Sequence, residues 1–174
     1  FSRPVDIAKF DLIYAGAQKN LGPAGATLVI VKKSALGKSG RYIPSMLDYN
    51  THISKESMFN TPPVFSIYVS MLTLRWLKEN GGVEAIYHKN EAKAALLYRE
   101  IDRNPLFEGT VAIEDRSSMN ACFLLKDEAT HKEVFNQLIT EARINGLAGH
   151  RSVGGYRASM YNALGEDSVQ VLVD

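Results

Sequence analysis

The hydrophobic pattern of this chain opens with two short apolar runs that are typical of strands. Residues 12–14 and 26–31 are almost wholly apolar, and a turn at Gly22-Pro23 lies between them. Continuous apolar runs of this length occur in strands that are buried on both faces. The pattern therefore predicts two buried strands joined by a loop of mostly small residues.

A longer apolar segment over residues 64–78 predicts a helix. Thr61 as N-cap and Pro62 at the first helical position mark its start, and Asn80-Gly81-Gly82 marks its end. Because the segment is apolar nearly all round, we expect the helix to be buried, between two parts of the protein or at a subunit interface. The preceding residues, 41–60, have no clear period and predict an irregular segment with a functional or partner-contacting role.

The second half of the chain alternates between helical and strand patterns. Residues 83–103 form an amphipathic helix pattern with Ile86, Ala94, Leu97 and Ile101 on one face, and Asn104-Pro105 ends it. The elements predicted after this helix are strands at residues 110–113 and 119–125, a helix over 128–145 closing at Gly146, a strand over 156–161 and a terminal helix. This order predicts a small α/β layer.

The two ends of the chain differ from those of a complete protein. The chain has no initiator Met, and it stops at residues 169–174 inside a predicted helix without a closing signal. We therefore expect it to be a fragment of a longer protein.

Composition and charge favour a soluble α/β enzyme or binding domain. Lys and Arg number 20 against 19 Asp and Glu, and no basic run suited to a phosphate backbone is present, so no nucleic-acid partner is expected. The longest apolar run, residues 26–31, is too short to span a bilayer, so no membrane association is expected. No metal site is expected either.

The cysteine content favours a reducing compartment. Cys122 is the single cysteine and cannot form an internal disulfide, so a cytoplasmic location is the default expectation. Its apolar neighbours predict a small, buried, hydrophobic side chain on a strand.

One lysine occupies a position suited to carbonyl chemistry. Lys19 follows the first predicted strand, beside Gln18 and the small residues 15–17. Desolvation of a lysine lowers its pKa and makes the neutral amine available for condensation with a carbonyl, and small neighbours leave room for a flat ring. On the residues alone, a plain loop lysine before a hairpin turn is the commoner case.

Two further stretches suit anions. The predicted N-terminus of the helix over residues 64–78 offers free N–H groups together with the Asn60 and Thr61 side chains, although plain capping is the simpler interpretation. His150, Arg151 and Arg157 fall within a span of eight residues in a glycine-rich stretch. Arginine matches carboxylate and phosphate groups bidentately, so this cluster could bind two anionic groups, or it could be a solvated loop.

Four segments carry a resemblance to one known family. They are AGAQKNLGPAG at residues 15–25, SMFNTPPVFSIY at 57–68, NGG at 80–82 and GHRSVGGYRASMYNA at 149–163. In this order they resemble the phosphoserine aminotransferases, pyridoxal-phosphate enzymes of fold type I among the class V aminotransferases. Four ordered matches over nearly the whole chain make chance a poor explanation.

The resemblance implies a fold and a division into domains. The chain would be the C-terminal half of an α/β enzyme. Residues 1–82 would be the C-terminal part of the large domain that binds pyridoxal 5'-phosphate. Residues 83–174 would be the small C-terminal α/β domain, truncated at its last helix.

The resemblance also implies roles for individual residues at the cofactor. Lys19 would bind the cofactor covalently and act as the base of the proton transfer, and Gln18 would contact the cofactor phosphate. Asn60 and Thr61 resemble the pair that reaches the cofactor phosphate of the neighbouring subunit, which implies a homodimer with shared active sites.

The substrate residues implied by the resemblance lie in the glycine-rich stretch. Arg157 matches the arginine that holds the substrate α-carboxylate. His150 and Arg151 match the pair that contacts the substrate phosphate, with the arginine contributed across the dimer.

The function implied is transfer of an amino group between L-glutamate and 3-phosphohydroxypyruvate in serine biosynthesis, with a second use in pyridoxine biosynthesis left open. The fragment alone is expected to be inactive, because other family residues lie in the missing half. The alternatives are another class V enzyme, such as a serine or alanine aminotransferase or a cysteine desulfurase, and a non-catalytic anion-binding domain.

Overall fold

The computed structural model describes residues 2–174. It divides into two compact units, the first over Arg3–Gly82 and the second over Val83–Asp174.

The first unit contains the two predicted strands as an antiparallel hairpin. Strand β1 covers Leu12–Gly16 and strand β2 covers Thr27–Val31. Their register runs from Leu12 opposite Val31 to Gly16 opposite Thr27. The predicted burial of these strands is wrong, since Tyr14 is 73% exposed and most residues of both strands are exposed. No third strand pairs with this ribbon in the described chain, so its apolar side chains remain uncovered.

The segment over residues 41–60 is more regular than its sequence predicts. A 3₁₀ turn at Ser45–Leu47 leads into the short helix α1, Tyr49–Ser54. The Asp48 side chain caps α1 by accepting a hydrogen bond from the Asn50 backbone N–H at 2.9 Å. A single capped turn carries too few residues to show a hydrophobic period, which explains why sequence reasoning missed it.

Helix α2 covers Val64–Glu79 and ends at Asn80 as predicted. Its predicted start is wrong, because Pro63 is the N-cap and Thr61 makes no cap. A proline disfavours helical dihedrals in the residue before it, so Pro63 keeps Pro62 out of the helix.

The predicted burial of α2 is also wrong for the described chain. Ser66 is the buried residue of this helix, and Phe65 is 72% exposed. The other exposed apolar side chains of α2 are Val64, Ile67, Tyr68, Leu72, Leu74 and Trp76. A helix face this apolar and this exposed is suited to covering by another protein surface.

The second unit packs three helices on a three-stranded antiparallel sheet. The strands are β3 at Phe107–Gly109, β4 at Asn120–Leu125 and β5 at Tyr156–Ser159, in the order β3-β4-β5. The helices are α3 at Gly82–Arg103, α4 at Glu128–Glu141 and α5 at Glu166–Val173. This is the small α/β layer that the sequence predicts.

The core of the second unit follows the two sequence periods. Ile86, Ala94, Leu97 and Ile101 of α3 are all buried, as their spacing predicts, while His88 is exposed. On β4, burial alternates, and Ala121, Phe123 and Leu125 lie in the core. Phe107, Phe123, Phe135 and Tyr156 form an aromatic cluster with ring centroids 4.9 to 6.5 Å apart.

Three element boundaries in the second unit differ from the prediction by two or more residues. The strand expected at residues 110–113 lies earlier, at Phe107–Gly109, where Phe107 packs edge to face on Phe123. Helix α4 ends at Glu141, before Gly146, because Arg143 adopts a left-handed φ of 57° and the Ile144 N–H turns back to the Ile139 carbonyl.

Strand β5 ends at Ser159, two residues before the predicted end. Beyond it, the Met160 N–H still donates to the Met119 carbonyl at 2.7 Å, but the carbonyl groups of Met160 and Tyr161 accept hydrogen bonds from Lys93 of α3. A side chain distant in sequence therefore ends the strand, which a local pattern does not reveal.

An ion pair ties down the connection between β3 and β4. Both terminal nitrogens of Arg116 donate to the Asp102 carboxylate at 2.7 Å, and the guanidinium lies 4.5 Å from the centre of the Tyr98 ring. The Tyr98 hydroxyl donates to the Ser117 carbonyl at 3.1 Å. These contacts hold the connection against α3, and the hydrogen bonds from Arg116 hold the pKa of Asp102 below its usual range.

Among residues 2–174, no helix combines the length and apolar character needed to cross a membrane. Within the same residues, no group of three or more His, Cys, Asp or Glu side chains could hold a metal ion.

Candidate active site

Lys19 lies on the loop between β1 and β2, and the backbone of this loop is closed on itself. The buried Ala17 donates its N–H to the Ala26 carbonyl at 2.9 Å. Its own carbonyl accepts from the N–H groups of Lys19, at 2.6 Å, and Gly22, at 2.7 Å. The loop is therefore a compact turn anchored at Ala17, from which the Gln18 and Lys19 side chains extend outward.

Small residues let this loop pack directly on α2. The Ser66 hydroxyl donates to the Ala24 carbonyl at 2.7 Å. A Cβ atom added to Gly25 would lie 2.8 Å from the Ser66 Oγ, and one added to Gly22 would lie 2.8 Å from the Ser70 Oγ. Ser66 and Ser70 are four residues apart and share one face of α2. The two glycines and the two serines thus form the surface that fixes the loop on the helix.

The first unit does not bury Lys19, so it does not provide the desolvation that the sequence predicts for this lysine. Both Gln18 and Lys19 are exposed, although Ala17 beside them is buried. The open surroundings are consistent with the other prediction, room for a flat ring, since a Cβ added at Gly16 would meet no heavy atom within 4 Å. The exposed Lys19 amine and the adjacent Gln18 amide, with open space at Gly16, fit a flat aldehyde such as pyridoxal phosphate.

Asn60 and Thr61 lie on the segment just before α2, and both side chains are exposed. The Asn60 Nδ2 donates weakly to the Met46 sulfur at 3.2 Å. Because Pro63 is the N-cap, neither side chain is used for capping, and both remain accessible to a ligand. The lysine loop is attached to the first turn of the same helix, through Ser66.

The glycine-rich stretch of the second unit is a closed loop. The Gly149 N–H donates to the Gly155 carbonyl at 2.8 Å, and Ala148 and Tyr156 form a β-bridge. A side chain at Gly149 would collide with the carbonyl of Gly154, and Gly155 has a φ of 63°. These glycines are required by the closure of the loop.

His150 and Arg151 lie at the exposed tip of this loop. The Ser152 backbone N–H donates to the His150 Nδ1 at 3.3 Å, and the Ser152 hydroxyl lies 2.6 Å from the same nitrogen. A backbone N–H can only donate, so Nδ1 is the acceptor, and the neutral ring carries its proton on Nε2. The tip thus presents an imidazole N–H and a guanidinium side by side to solvent.

Arg157 lies on β5, directly opposite Cys122 of β4. Its side chain is half-buried, and its Nε is buried without a hydrogen-bond partner in the described chain. Leaving a buried donor unpaired costs about 1 to 3 kcal/mol, which an anionic ligand would offset. The predicted burial of Cys122 is wrong, because the residue is half-buried on the face of β4 turned away from the core.

Arg157 also lines a cavity of about 560 Å³ in the second unit. The cavity lies between the end of β5, the connection from α4 and helix α5. Its polar lining includes Arg143, Asn145, Ser159 and Ser168. In the second unit, the structure thus brings His150, Arg151 and Arg157 onto one loop and the strand that follows it. In the first unit, Gln18 and Lys19 share one loop, and Asn60 and Thr61 share the segment before α2.

Sequence reasoning missed two buried polar residues on α3. Lys93 is 2% exposed, and its Nζ donates to the carbonyl groups of Met160, Tyr161 and Leu164 at 3.3, 2.8 and 2.9 Å. The Asn90 Nδ2 donates to the Asn162 Oδ1 at 2.9 Å. The available signal was that positions 90 and 93 fall on the apolar face between Ile86 and Leu97.

Comparisons with known proteins give the family. The model of the family described as aminotransferase class-V matches residues 1–172. A phosphoserine aminotransferase from Flavobacterium psychrophilum is 68% identical over 174 residues, which are 100% of this chain and 49% of the relative. A second, from Flavobacterium johnsoniae, is 64% identical over the same share of each chain.

Solved structures give the same fold. The phosphoserine aminotransferase from Bacillus circulans subsp. alkalophilus is 45% identical with a TM-score of 0.92, covering 99% of this chain and 48% of that one. A PLP-bound phosphoserine aminotransferase from Trichomonas vaginalis is 38% identical with a TM-score of 0.90, covering 99% and 49%. These matches confirm the predicted α/β fold.

The chain spans about half the length of the curated relatives it matches. The family model nevertheless covers both units of the described chain, from the lysine loop to α5. This chain therefore belongs to the class V aminotransferase family.

Proposed function

We propose that the intact protein is a pyridoxal-phosphate-dependent phosphoserine aminotransferase, which moves an amino group between L-glutamate and 3-phosphohydroxypyruvate. The observation that supports this proposal is an exposed lysine, Lys19, on a chain that also carries His150, Arg151 and Arg157 on one loop and strand and that is 68% identical to a relative of that name. An enzyme for a phosphorylated amino acid needs a site for the carboxylate and a site for the phosphate.

Four residues of the first unit would hold the cofactor. Pyridoxal 5'-phosphate, when bound, supplies an electron sink for the carbanion chemistry of transamination. The Lys19 Nζ would bind it covalently, and the Gln18 amide would donate to its phosphate. Asn60 and Thr61 are exposed and do not cap α2, and their side chains would donate to the cofactor phosphate of a neighbouring subunit.

Lys19 would also move the proton of the reaction. In this role the Lys19 Nζ would accept a proton from the substrate carbon and return it to the product. The hydrogen bonds of Ala17 and the packing on Ser66 fix the loop backbone, so only the flexible lysine side chain needs to move. A fixed backbone keeps the amine within reach at each step.

Three residues of the second unit would bind substrate. The half-buried Arg157 guanidinium would hold the α-carboxylate. This anion would also give an acceptor to the buried Nε, which has no hydrogen-bond partner among the described residues. The His150 Nε2–H and the Arg151 guanidinium would donate to the substrate phosphate. Because the α-carboxylate is common to glutamate and phosphoserine, and the phosphate is not, this division explains how one site could serve both substrates.

We further propose a homodimer with shared active sites in a reducing cytoplasm. The exposed apolar side chains of α2 are suited to a subunit interface, and the exposed Asn60 and Thr61 lie immediately before this helix. The serine biosynthetic role follows from the proposed substrates. A use in pyridoxine biosynthesis would require activity on a second phosphorylated substrate.

A cysteine desulfurase is disfavoured by the position of Cys122. A desulfurase needs a mobile nucleophilic cysteine, and Cys122 of this chain lies in the middle of β4, paired with Arg157 of β5. Its backbone is held by ladder hydrogen bonds on both sides.

The proposed function is tested by substrate discrimination in the intact enzyme. Arg151→Ala should lower kcat/KM for phosphoserine by about one to two decades, the loss expected for one charge-assisted hydrogen bond of about 1.5 to 3 kcal/mol. It should leave glutamate almost unchanged, whereas Arg157→Ala should damage both substrates. Arg151→Lys should rescue only in part, because lysine keeps the charge and loses the fork. Equal losses on both substrates in Arg151→Ala would remove the phosphate role.

A further inference from the structure

The turn that follows β5 is held by a buried cation. Lys93 of α3 directs its Nζ at the carbonyl groups of Met160, Tyr161 and Leu164. An ammonium has three donors, so this one turn can use all of them. Lys93 is 2% exposed, and burying an ammonium is unfavourable unless its donors are satisfied.

A second polar residue holds the same turn. Asn90 is fully buried one helical turn before Lys93, and its Nδ2 donates to the Asn162 side chain at 2.9 Å. Four hydrogen bonds from one face of α3 therefore converge on residues 160–164. The Asn90 Oδ1 is buried without a hydrogen-bond partner in the described chain, so the three hydrogen bonds of Lys93 and the one of Asn90 Nδ2 carry the network. Losing this arrangement would leave the buried ammonium unpaired as well.

The register of the strand before this turn decides which way Arg157 faces. Strand β5 has four residues; β4 supplies its ladder on one side, and on the other side Ala148 bridges Tyr156 and the Arg157 N–H donates to the Leu147 carbonyl. Its inward residues are Tyr156 and Ala158, and its outward ones are Arg157 and Ser159. Since side chains alternate along a strand, a slip of one residue would carry Arg157 from the outward face to the core face.

We infer that Lys93, with Asn90, is a positioning residue that locks the register of β5 and thereby holds Arg157 on the outward face for the substrate α-carboxylate. The functional half of this inference rests on the proposed function, and the structural half does not. Carbonyl groups 160, 161 and 164 meet one ammonium in this register, and a slip would replace them with groups that point elsewhere. The lock adds to the burial of Tyr156 and Ala158, which also opposes a slip of β5.

The test compares Lys93→Met with Lys89→Met in the intact enzyme. Methionine keeps most of the aliphatic volume of lysine and removes the ammonium, while Lys89 is exposed on the same helix and serves as the matched control. Hydrogen–deuterium exchange of the peptide over residues 156–164 should be about tenfold faster in Lys93→Met than in Lys89→Met. The amide N–H groups of Arg157 and Met160, which donate to Leu147 and Met119, report directly on the two ends of the strand.

The kinetic arm separates positioning from plain stability. In Lys93→Met, KM should rise about tenfold for both glutamate and phosphoserine, because both carry the α-carboxylate, with kcat changed by less than about twofold. A residue that only stabilises the fold would lower the fraction of active enzyme, and hence kcat, without changing KM. Unchanged KM values together with faster exchange would overturn the positioning role.

A second variant keeps the inference testable if Lys93→Met does not fold. Asn90→Ala removes one of the four hydrogen bonds and should give the same pattern at a smaller size. Exchange over residues 156–164 that matches the parent in Asn90→Ala, and also in any folded Lys93 variant, overturns the lock.

The failure of the proposed function would be visible separately. If Arg157→Ala leaves KM for glutamate unchanged, then the carboxylate role of Arg157 is wrong, and the functional half of the inference falls with it. The exchange measurement still decides whether Lys93 holds the register of β5.

Discussion

The Ser66 hydroxyl donates a hydrogen bond of 2.7 Å to the Ala24 carbonyl, and this contact fastens the loop of Lys19 to helix α2. The position of the proposed reactive amine therefore depends on a serine 47 residues away in the chain (66 minus 19). The remaining loop contacts on α2 are the close approaches of Gly22 to Ser70 and of Gly25 to Ser66.

We predict that Gly25→Ala weakens cofactor binding in the intact enzyme. Gly25 has a φ of 115°, which L side chains rarely adopt, and the new methyl group would lie 2.8 Å from the Ser66 Oγ. Displacement of the loop should lower the affinity for pyridoxal phosphate by at least about tenfold, equivalent to about 1.4 kcal/mol. The measurement is the dissociation constant from absorbance of the bound cofactor. Gly40→Ala is the control, since a Cβ there meets nothing within 4 Å, and equal affinities for the two variants would contradict the prediction.

A second prediction concerns the identity of the reactive lysine. Borohydride reduction of the intact enzyme with pyridoxal phosphate should leave the cofactor label on the peptide that carries Lys19, because this amine is exposed beside open space. Peptide mapping by mass spectrometry locates the label. Lys19→Arg should abolish it while keeping the charge, and a label on another lysine would show that the assignment is wrong.

A third prediction concerns the sharing of active sites. A Lys19→Ala subunit and an Asn60→Ala, Thr61→Ala subunit should each be impaired as homodimers, and mixing them should restore part of the activity. In the mixed dimer, one composite site keeps Lys19 from one subunit with Asn60 and Thr61 from the other. Heterodimers that are confirmed by tagged purification and show no recovery would count against sharing.

A fourth prediction concerns acid stability of the second unit. The Arg116 hydrogen bonds depress the pKa of Asp102, so this carboxylate contributes stability above its unfolded pKa of about 3.9. The contribution is lost as the pH falls through the lower, folded pKa. The Asp102 side chain is 47% exposed, so solvent screening limits the effect to about 1 kcal/mol or less.

Thermal unfolding of the intact protein as a function of pH measures this contribution. Asp102→Asn should lower Tm near neutral pH and approach the parent as the pH falls below the lowered pKa of the folded state, because the parent carboxylate is then protonated. Asp115→Asn, a change at an exposed carboxylate nearby, is the control. A Tm difference between Asp102→Asn and the parent that persists unchanged at low pH would exclude the ion pair as its cause.

The sequence predicts most clearly those elements whose determinants are local. The buried face of α3 follows from the spacing of Ile86, Ala94, Leu97 and Ile101, and the end of α2 follows from Asn80 and the glycines after it. Thr61 is a favourable cap residue and predicts a start of α2 two residues too early, because Pro63 restricts the backbone of Pro62 and keeps it out of the helix.

The errors in burial have a different cause. Strands β1 and β2 and helix α2 are apolar in sequence, yet exposed in the described chain. An apolar pattern indicates that a segment is suited to being covered, and it does not say which surface covers it. The exposure of Lys19 belongs to the same class, because desolvation depends on groups beyond the loop itself.

The candidate site was predictable where residue type alone suggests chemistry. Lys19, His150, Arg151 and Arg157 are such residues, and family resemblance assigned their roles. Lys93 was not predictable in this way, since its partners lie 67 to 71 residues further along the chain. A polar residue at a buried helical position becomes meaningful only when the groups it satisfies are known.

The closure of the loop over residues 149–155 separates its framework from its tip. The glycines at the base are fixed by steric requirements, whereas His150, Arg151, Ser152 and Val153 project from the tip and are exposed. Under the proposed function, substitutions at these four positions would alter the charge and shape presented to a substrate side chain while the glycines at the base stay unchanged. The tip would then be the place to redesign substrate preference, from phosphorylated toward carboxylated or uncharged amino acids.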